Sequence, residues 1–153
     1  MKANRWNIII IMVVLIAFSV TLWPQISLGA GASGRVSDEQ LLARAINGEA
    51  RGEPYEGQVA VGAVILNRVA SPNFPNTVSG VIYQPGAFTA VSDGQINVPI
   101  DPKSTVVKAA RDALNGWDPT HGCLYYWNPA TATSKWIWSR KIIMKIGKHN
   151  FGK

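Results

Sequence analysis

The sequence predicts an α+β domain, a helical core followed by a small antiparallel sheet, on three observations. Capped helical periodicities fill residues 37–69, the spacing changes beyond Gln84-Pro85-Gly86, and aromatic and β-branched residues gather after Asp118. With 47% hydrophobic and 16% charged residues the chain is compositionally globular, which excludes a disordered, collagen-like or coiled-coil protein.

The first segment is read as targeting rather than fold. Lys2 and Arg5 precede the apolar run 8–18, and Gly29-Ala30-Gly31-Ala32 follows it. This is the positive, apolar, small-residue order of a secretory signal, with Ala30-Gly31-Ala32 as the cleavage site. Trp6 and Trp23 bracket a stretch about long enough to span a bilayer, so an uncleaved anchor is the competing reading. In both readings the positive end stays inside and the domain lies outside the membrane. The expected organisation is a signal or anchor over residues 1–32, a linker at 33–36 and one folded domain over 37–153. Removing 32 of the 153 residues leaves 121, enough for one core and not for two.

Ser37 with Gln40 three residues later forms a capping box, and Asp38 and Glu39 suit the positive end of the helix dipole. A helix over Asp38–Ala50 follows, with Leu42, Ala45 and Ile46 on its apolar stripe and Glu49 next in that series. Gly52 and Pro54 end it. Residues 56–69 are apolar nearly all round, the pattern of a central helix, with Gly57 and Gly62 allowing close packing. Thr77 caps a short helix through Tyr83. Residues 87–91 and 96–98 flank Ser92-Asp93-Gly94-Gln95, which predicts a hairpin turning on Asp-Gly. Asp101-Pro102 opens another helix through Leu114, closed by Asn115-Gly116. Residues 123–127 predict a strand, and residues 142–151 predict edge strands around Gly147.

Charge and cysteine usage narrow the chemistry. A single cysteine, Cys123, excludes an intramolecular disulfide framework, and with only His121 and His149 no zinc cluster of the usual spacing can be written. The net charge is +6. Without Lys2 and Arg5, 13 cations face 9 acids, a balance of +4. Asp118 is the last acid, and Lys135, Arg140, Lys141, Lys145, Lys148 and Lys153 follow it. A basic face of this kind suits an anionic cell-wall polymer or is a solvated surface, and no nucleic-acid motif accompanies it.

Glu49 is the candidate for chemistry. A carboxylate on an apolar stripe is costly to bury ionised, so it pairs with a cation, bonds to the backbone of the next loop or holds a proton. A proton-holding Glu is what a glycoside-cleaving enzyme needs as its general acid. Glu53, Glu56 and Asp93 are the nearby acids that would serve as a second carboxylate, although a salt bridge from Glu53 to Arg51 or Arg68 is the simpler expectation. Tyr125, Tyr126, Trp127, Asn128, Trp136 and Trp138 supply the rings and short polar groups that sugar sites use. Alternation along a strand lets only half of them line one cleft, and Tyr126 and Asn128 share a face.

These residues carry a family resemblance. AINGEARGEPYEGQVAVGAVILNRV from Ala45, VIYQPGAFTAV from Val81 and YYWNPATATSKWIW from Tyr125 resemble the catalytic domain of SleB-type spore cortex-lytic enzymes, a cell-wall hydrolase family of spore-forming bacteria. The resemblance covers nearly all of residues 37–153 and rests on three separated motifs. It implies a lysozyme-like fold related to the lytic transglycosylases, with Glu49 of the N-G-E-A motif as the catalytic acid. It further implies Thr89 of the A-F-T motif as a hydroxyl near that acid, and Tyr126 and Asn128 as sugar contacts. The implied substrate is spore cortex peptidoglycan, cleaved by a monomer during germination without metal or cofactor, with no nucleic acid involved and with a membrane partner of the YpeB type. One departure is that family members commonly place a peptidoglycan-binding repeat domain before the catalytic one, where this sequence has only residues 29–36.

Overall fold

The computed structural model describes residues Val36–Lys153. The expected signal or anchor over residues 1–32, and the linker up to Arg35, lie outside the described residues.

The helical half follows from the capping and periodicity. Helix α1 spans Asp38–Ala50, and the Ser37 side chain accepts a hydrogen bond from the Gln40 N–H. Leu42, Ala45 and Ile46 of its stripe are fully buried. Helix α2, Tyr55–Ala70, is buried continuously from Gly57 to Ile65, as an all-round apolar helix must be. At Gly62 an added Cβ would stand 3.0 Å from Ile46 Cδ1 and 3.2 Å from Ala113 Cβ, so glycine lets three helices meet there. Thr77 accepts from the Gly80 N–H to cap α3, Val78–Ile82.

The expected hairpin over residues 87–98 is absent from the fold. The segment forms a short helix α4, Thr89–Ser92, and a 3-10 turn, Gln95–Asn97. The Asp93 carboxylate explains the difference, because it accepts from both the backbone and the side-chain amide of Gln95 and so folds the Asp-Gly turn back on itself. Ala90 and Ile96 are buried in a segment that packs on α1, which replaces strand pairing. Helix α5 spans Thr105–Leu114 and starts later than Asp101-Pro102 predicted. Asp101 instead accepts from the Lys103 N–H in a preceding turn.

The sheet has β1 (Tyr125–Trp127), β2 (Ile142–Ile146) and β3 (His149–Gly152) in the order β1-β3-β2, all antiparallel. The last strand is therefore the central, buried one, and only β2 of the lysine-rich end is an edge strand. Phe151 of β3 lies opposite Tyr126 on one side and Met144 on the other. The first strand is shorter than expected because Cys123 belongs to a loop built on Asp118. That carboxylate accepts from the Thr120 N–H and hydroxyl, the Gly122 N–H and the Asn67 amide. Burial pushes the Asp118 carboxyl up, but these hydrogen bonds outweigh it and hold the group below the usual carboxylate range. The lysines and Arg140 after Asp118 are all exposed. Among the described residues no helix is long and apolar enough to cross a membrane.

Candidate active site

Glu49 stands in the last turn of α1, where the helical stripe reaches the edge of the core. It borders a cavity of about 500 Å³ that Glu53, Thr89, Tyr126, Asn128 and His149 also line. Two donors fix its carboxyl group: the Ala90 N–H reaches Oε1 at 3.1 Å, and the Tyr126 hydroxyl reaches Oε2 at 3.3 Å. Gly48 makes the first contact possible, because a side chain there would run into Ala90. Burial pushes the Tyr126 phenol well above its ordinary value, with the neighbouring Glu49 charge adding to this and the Arg68 guanidinium opposing it. Tyr126 therefore stays a donor at every pH of interest. The His149 ring meets its ring edge-on at 5.5 Å and holds it in place.

The other expected contacts fall as follows. Thr89 lines the same cavity, but the hydrogen bond that its segment gives to Glu49 comes from the backbone of the next residue, Ala90. Asn128 also lines it, and its Oδ1 accepts from the Ala130 N–H to shape the turn after β1. That assignment leaves its amide NH2 as the group free to donate to a ligand. Among the described residues, no three His, Cys, Asp or Glu side chains come together as a metal cluster.

Glu53 departs from the expected salt bridge. Its side chain is only 6% exposed, and its Oε2 accepts from the Lys148 N–H at 2.8 Å, in the turn between β2 and β3. Arg51 turns instead to Gln95, and Arg68 donates through Nε to the Leu124 carbonyl. Gly147 makes the Glu53 contact possible: its φ is +58°, and a Cβ there would collide with the Glu53 carboxylate. Asp93 stays in its surface turn and Glu56 is exposed, so Glu53 alone of the acids weighed shares the cavity with Glu49.

His149 lines the same cavity as the two carboxylates, with Nδ1 3.8 Å from Glu53. Burial lowers its pKa below 6.5, against the upward pull of Glu53 and Glu49. The ring is thus neutral at pH 7, and the 3.8 Å from its Nδ1 to Glu53 is not an ion pair under those conditions. Periodicity had no means of finding the Ala90 and Lys148 N–H groups, which carry no side-chain signature. His149 has one, a polar residue in the sheet's buried strand, but its burial depends on β3 being central.

A second cavity of about 580 Å³ adjoins the first, and Arg68, Thr89, Tyr126 and Trp127 border both. Phe74, Tyr125 and Trp136 line its further part. Trp127 reaches both cavities because β1 is only three residues long and the chain folds back beyond it. Trp138 is 50% exposed and borders neither.

A carboxyl group held by two donors at the edge of a helical core, facing a groove walled by a short sheet and aromatic loops, has the form of a glycoside-cleaving site. Residues 52–152 match the Cell Wall Hydrolase family, and the chain belongs to it. That match begins three residues beyond Glu49. The chain is 67% identical over 117 residues to a spore cortex-lytic enzyme of Bacillus cereus, covering 76% of this chain and 44% of that protein. It is 30% identical over 122 residues to the cell wall hydrolase CwlJ of Bacillus subtilis, covering 75% of this chain and 84% of that one. The catalytic domain of the germination-specific lytic transglycosylase SleB from Bacillus anthracis has the same fold, with a TM-score of 0.74 at 62% identity over 80% of this chain and 99% of that one. The helical core with its three-stranded antiparallel sheet is thus the SleB catalytic fold. The chain spans less than half the length of the spore cortex-lytic enzymes it matches.

Proposed function

We propose that this chain cleaves spore cortex peptidoglycan during germination, as a lytic transglycosylase that uses Glu49 as its acid and base. The observation that carries the reading is the Glu49 carboxyl group, fixed by the Ala90 N–H and the Tyr126 hydroxyl and facing the cavity. The relatives described as spore cortex-lytic enzymes support the substrate, and the SleB catalytic domain supports the reaction type. Glu49 gives its proton to the oxygen between N-acetylmuramic acid and N-acetylglucosamine, and the C1–O bond breaks through an oxocarbenium-like state. The muramyl C6 hydroxyl attacks C1 of its own sugar and returns its proton to Glu49. Because that nucleophile is tethered, no second carboxylate is needed to direct a water. Thr89, Tyr126 and Asn128 hold the sugar and its acetamide. The protein acts outside the membrane after export or while anchored by its first 32 residues, as a monomer, with a membrane partner of the YpeB type.

The test is mass spectrometry of fragments released from purified cortex by the native chain and by Glu49→Gln. Anhydromuramyl ends, one water lighter than reducing ends and missing with Glu49→Gln, are the expected result. Reducing ends would instead mean hydrolysis, a reading favoured by the placement of Glu53 in the same cavity. Equal release by both proteins would remove Glu49 from the mechanism, and no release by either would leave a peptidoglycan-binding module.

A further inference from the structure

His149 borders the cavity that Glu49 faces, and the mechanism gives it no step. The residue is only 9% exposed, and two rings pack against it, Tyr126 edge-on at 5.5 Å and Phe151 at 6.5 Å. Its two nitrogens meet different surroundings. Nδ1 is fully buried without a hydrogen-bond partner, and Oε2 of Glu53 stands 3.8 Å away. That is too long for a hydrogen bond, yet a carboxylate repels a lone pair and attracts an N–H, so the neutral ring carries its proton on Nδ1. The Glu53 carboxylate is itself anchored by the Lys148 N–H at 2.8 Å. Nε2 has no partner among the described residues either, but it is not among the buried polar atoms left unpaired, so it opens onto the cavity with its lone pair free.

A carboxylate behind one ring nitrogen and a bare lone pair on the other make a histidine a hydrogen-bond acceptor. We propose that His149 accepts, through Nε2, a hydrogen bond from a hydroxyl of the sugar bound beside Glu49, and that Glu53 is the positioning residue that holds the ring in the accepting tautomer. This rests on the glycan-cleaving reading and assigns a further substrate contact within it. The consequence is a second limb in the pH profile. A single acid and base at Glu49 loses kcat/KM only as pH rises and its proton leaves. His149 adds a loss as pH falls, because the imidazolium donates at Nε2 where the ring must accept, and its charge favours the ionised form of Glu49. Burial opposes that protonation first of all, Glu53 and Glu49 favour it, and Lys148 opposes it. Burial prevails, so the limb lies below pH 6.5. Of the other groups around the ring, the Tyr126 phenol stays protonated, Ile146 opposite on β2 is apolar, and Arg68 on the cavity wall keeps its charge.

The test is kcat/KM on purified cortex glycan from about pH 8 to about pH 4.5, per folded molecule, for the native chain, His149→Gln, His149→Leu and Glu53→Gln. Circular dichroism gives the folded fraction at each pH, and the NMR signal that His149→Gln removes gives the titration of the ring. The native profile is bell-shaped, falling about tenfold per pH unit on its acid side, with its midpoint at the ring's titration. His149→Gln keeps an acceptor that does not titrate, so it retains part of the native kcat/KM and loses the acid limb. Glu53→Gln moves that limb to lower pH, because it removes a charge that favours the imidazolium. His149→Leu has no acceptor and loses about tenfold at about pH 7.5. A loss carried by kcat assigns the C6 hydroxyl that attacks C1, and one carried by KM assigns a hydroxyl that only anchors the sugar. An acid limb that persists in His149→Gln, or a native profile without one where the ring titrates, overturns the proposal. A folded His149→Leu with native kcat/KM overturns it as well, and a limb that stays in place in Glu53→Gln overturns the part given to Glu53. If no protein cleaves at any pH, co-sedimentation with cortex glycan decides. Binding that weakens with falling pH in the native chain and not in His149→Gln keeps the acceptor and removes the glycan-cleaving reading, and binding without that difference removes both.

Discussion

Glu49 and Glu53 lie four residues apart and border the same cavity, yet the fold treats them differently. Glu49 still belongs to α1, is half-buried, and meets one backbone N–H and one phenol. Glu53 follows the end of that helix, is 6% exposed, and is tied to the backbone of the β2–β3 turn. The first carboxylate is held at the border of the cavity by one backbone and one side-chain donor. The second clips the hairpin to the helical half, joining two parts of the chain 95 residues apart. Residue type and location in a cleft therefore do not define a catalytic role; what each carboxyl group is bound to separates them.

The largest expected effect breaks the comparison most directly. Glu49→Gln lowers glycan release roughly 10²- to 10⁴-fold, the range for removing a general acid, with the melting temperature near that of the native chain. Glu53→Gln lowers release less than about tenfold and melts earlier, because a charged hydrogen bond to a backbone N–H becomes a weaker neutral one. Paired measurement of product release and thermal melting checks both. If Glu53→Gln matched Glu49→Gln in rate while keeping its melting temperature, Glu53 would be a second catalytic carboxylate and the hydrolytic route would follow.

The two glycines that allow these contacts sharpen it next. Gly48→Ala pushes on Ala90, and Gly147→Ala pushes on Glu53 at a backbone φ that alanine adopts poorly. Each is expected to cost about 1–3 kcal/mol, the usual range for overpacking, measured by urea unfolding. They differ in activity per folded molecule: Gly48→Ala moves the donor to Glu49 and loses rate, while Gly147→Ala loosens the clip and keeps more of it. Tyr126→Phe is smaller, roughly a tenfold loss in kcat/KM shared between kcat and KM, because it removes the hydroxyl that meets both Glu49 and the sugar and leaves the ring packing in place. A loss in kcat alone would make Tyr126 a group that orients Glu49 and does not bind the sugar.

Where local rules decide, the sequence was legible. The Ser37 cap, the stripe through Leu42, Ala45, Ile46 and Glu49, and the all-round apolar helix beside it are consequences of pitch and burial, and the structure has them, although only the Ser37 half of the capping box forms. The fold class followed from the same signals. Where partners distant in the chain decide, the reading weakened. The segment 87–98 carries a hairpin pattern, but Asp93 bonds to Gln95 and the apolar residues find α1, so it coils instead. Glu53 looked like a surface ion-pair residue because nothing local announces that Lys148 will reach it from the far end of the chain. The central position of β3 is equally non-local, since strand order is set by which faces bury best together.

His149 touches both carboxylates' surroundings, and its titration gives the smallest and most selective test of the pair. Burial sets its folded pKa below the 6.5 of the unfolded chain, and Glu53 and Glu49 oppose that shift. Between those two values the unfolded chain binds more protons than the folded one, so stability rises with pH there and is lost as pH falls below about 6.5. Asp118 has the same sign at lower pH, because a depressed carboxyl group loses its contribution only as pH falls below about 3.8 toward its folded value. Unfolding midpoints at pH 7.5 and 5.5 therefore isolate the histidine. The native chain is expected to lose more stability across that interval than His149→Gln, which cannot titrate. Equal slopes would mean that the ring accepts its proton in the folded state as readily as in water, and that Glu53, only 3.8 Å from Nδ1, has become its ion-pair partner rather than a clip for the hairpin alone.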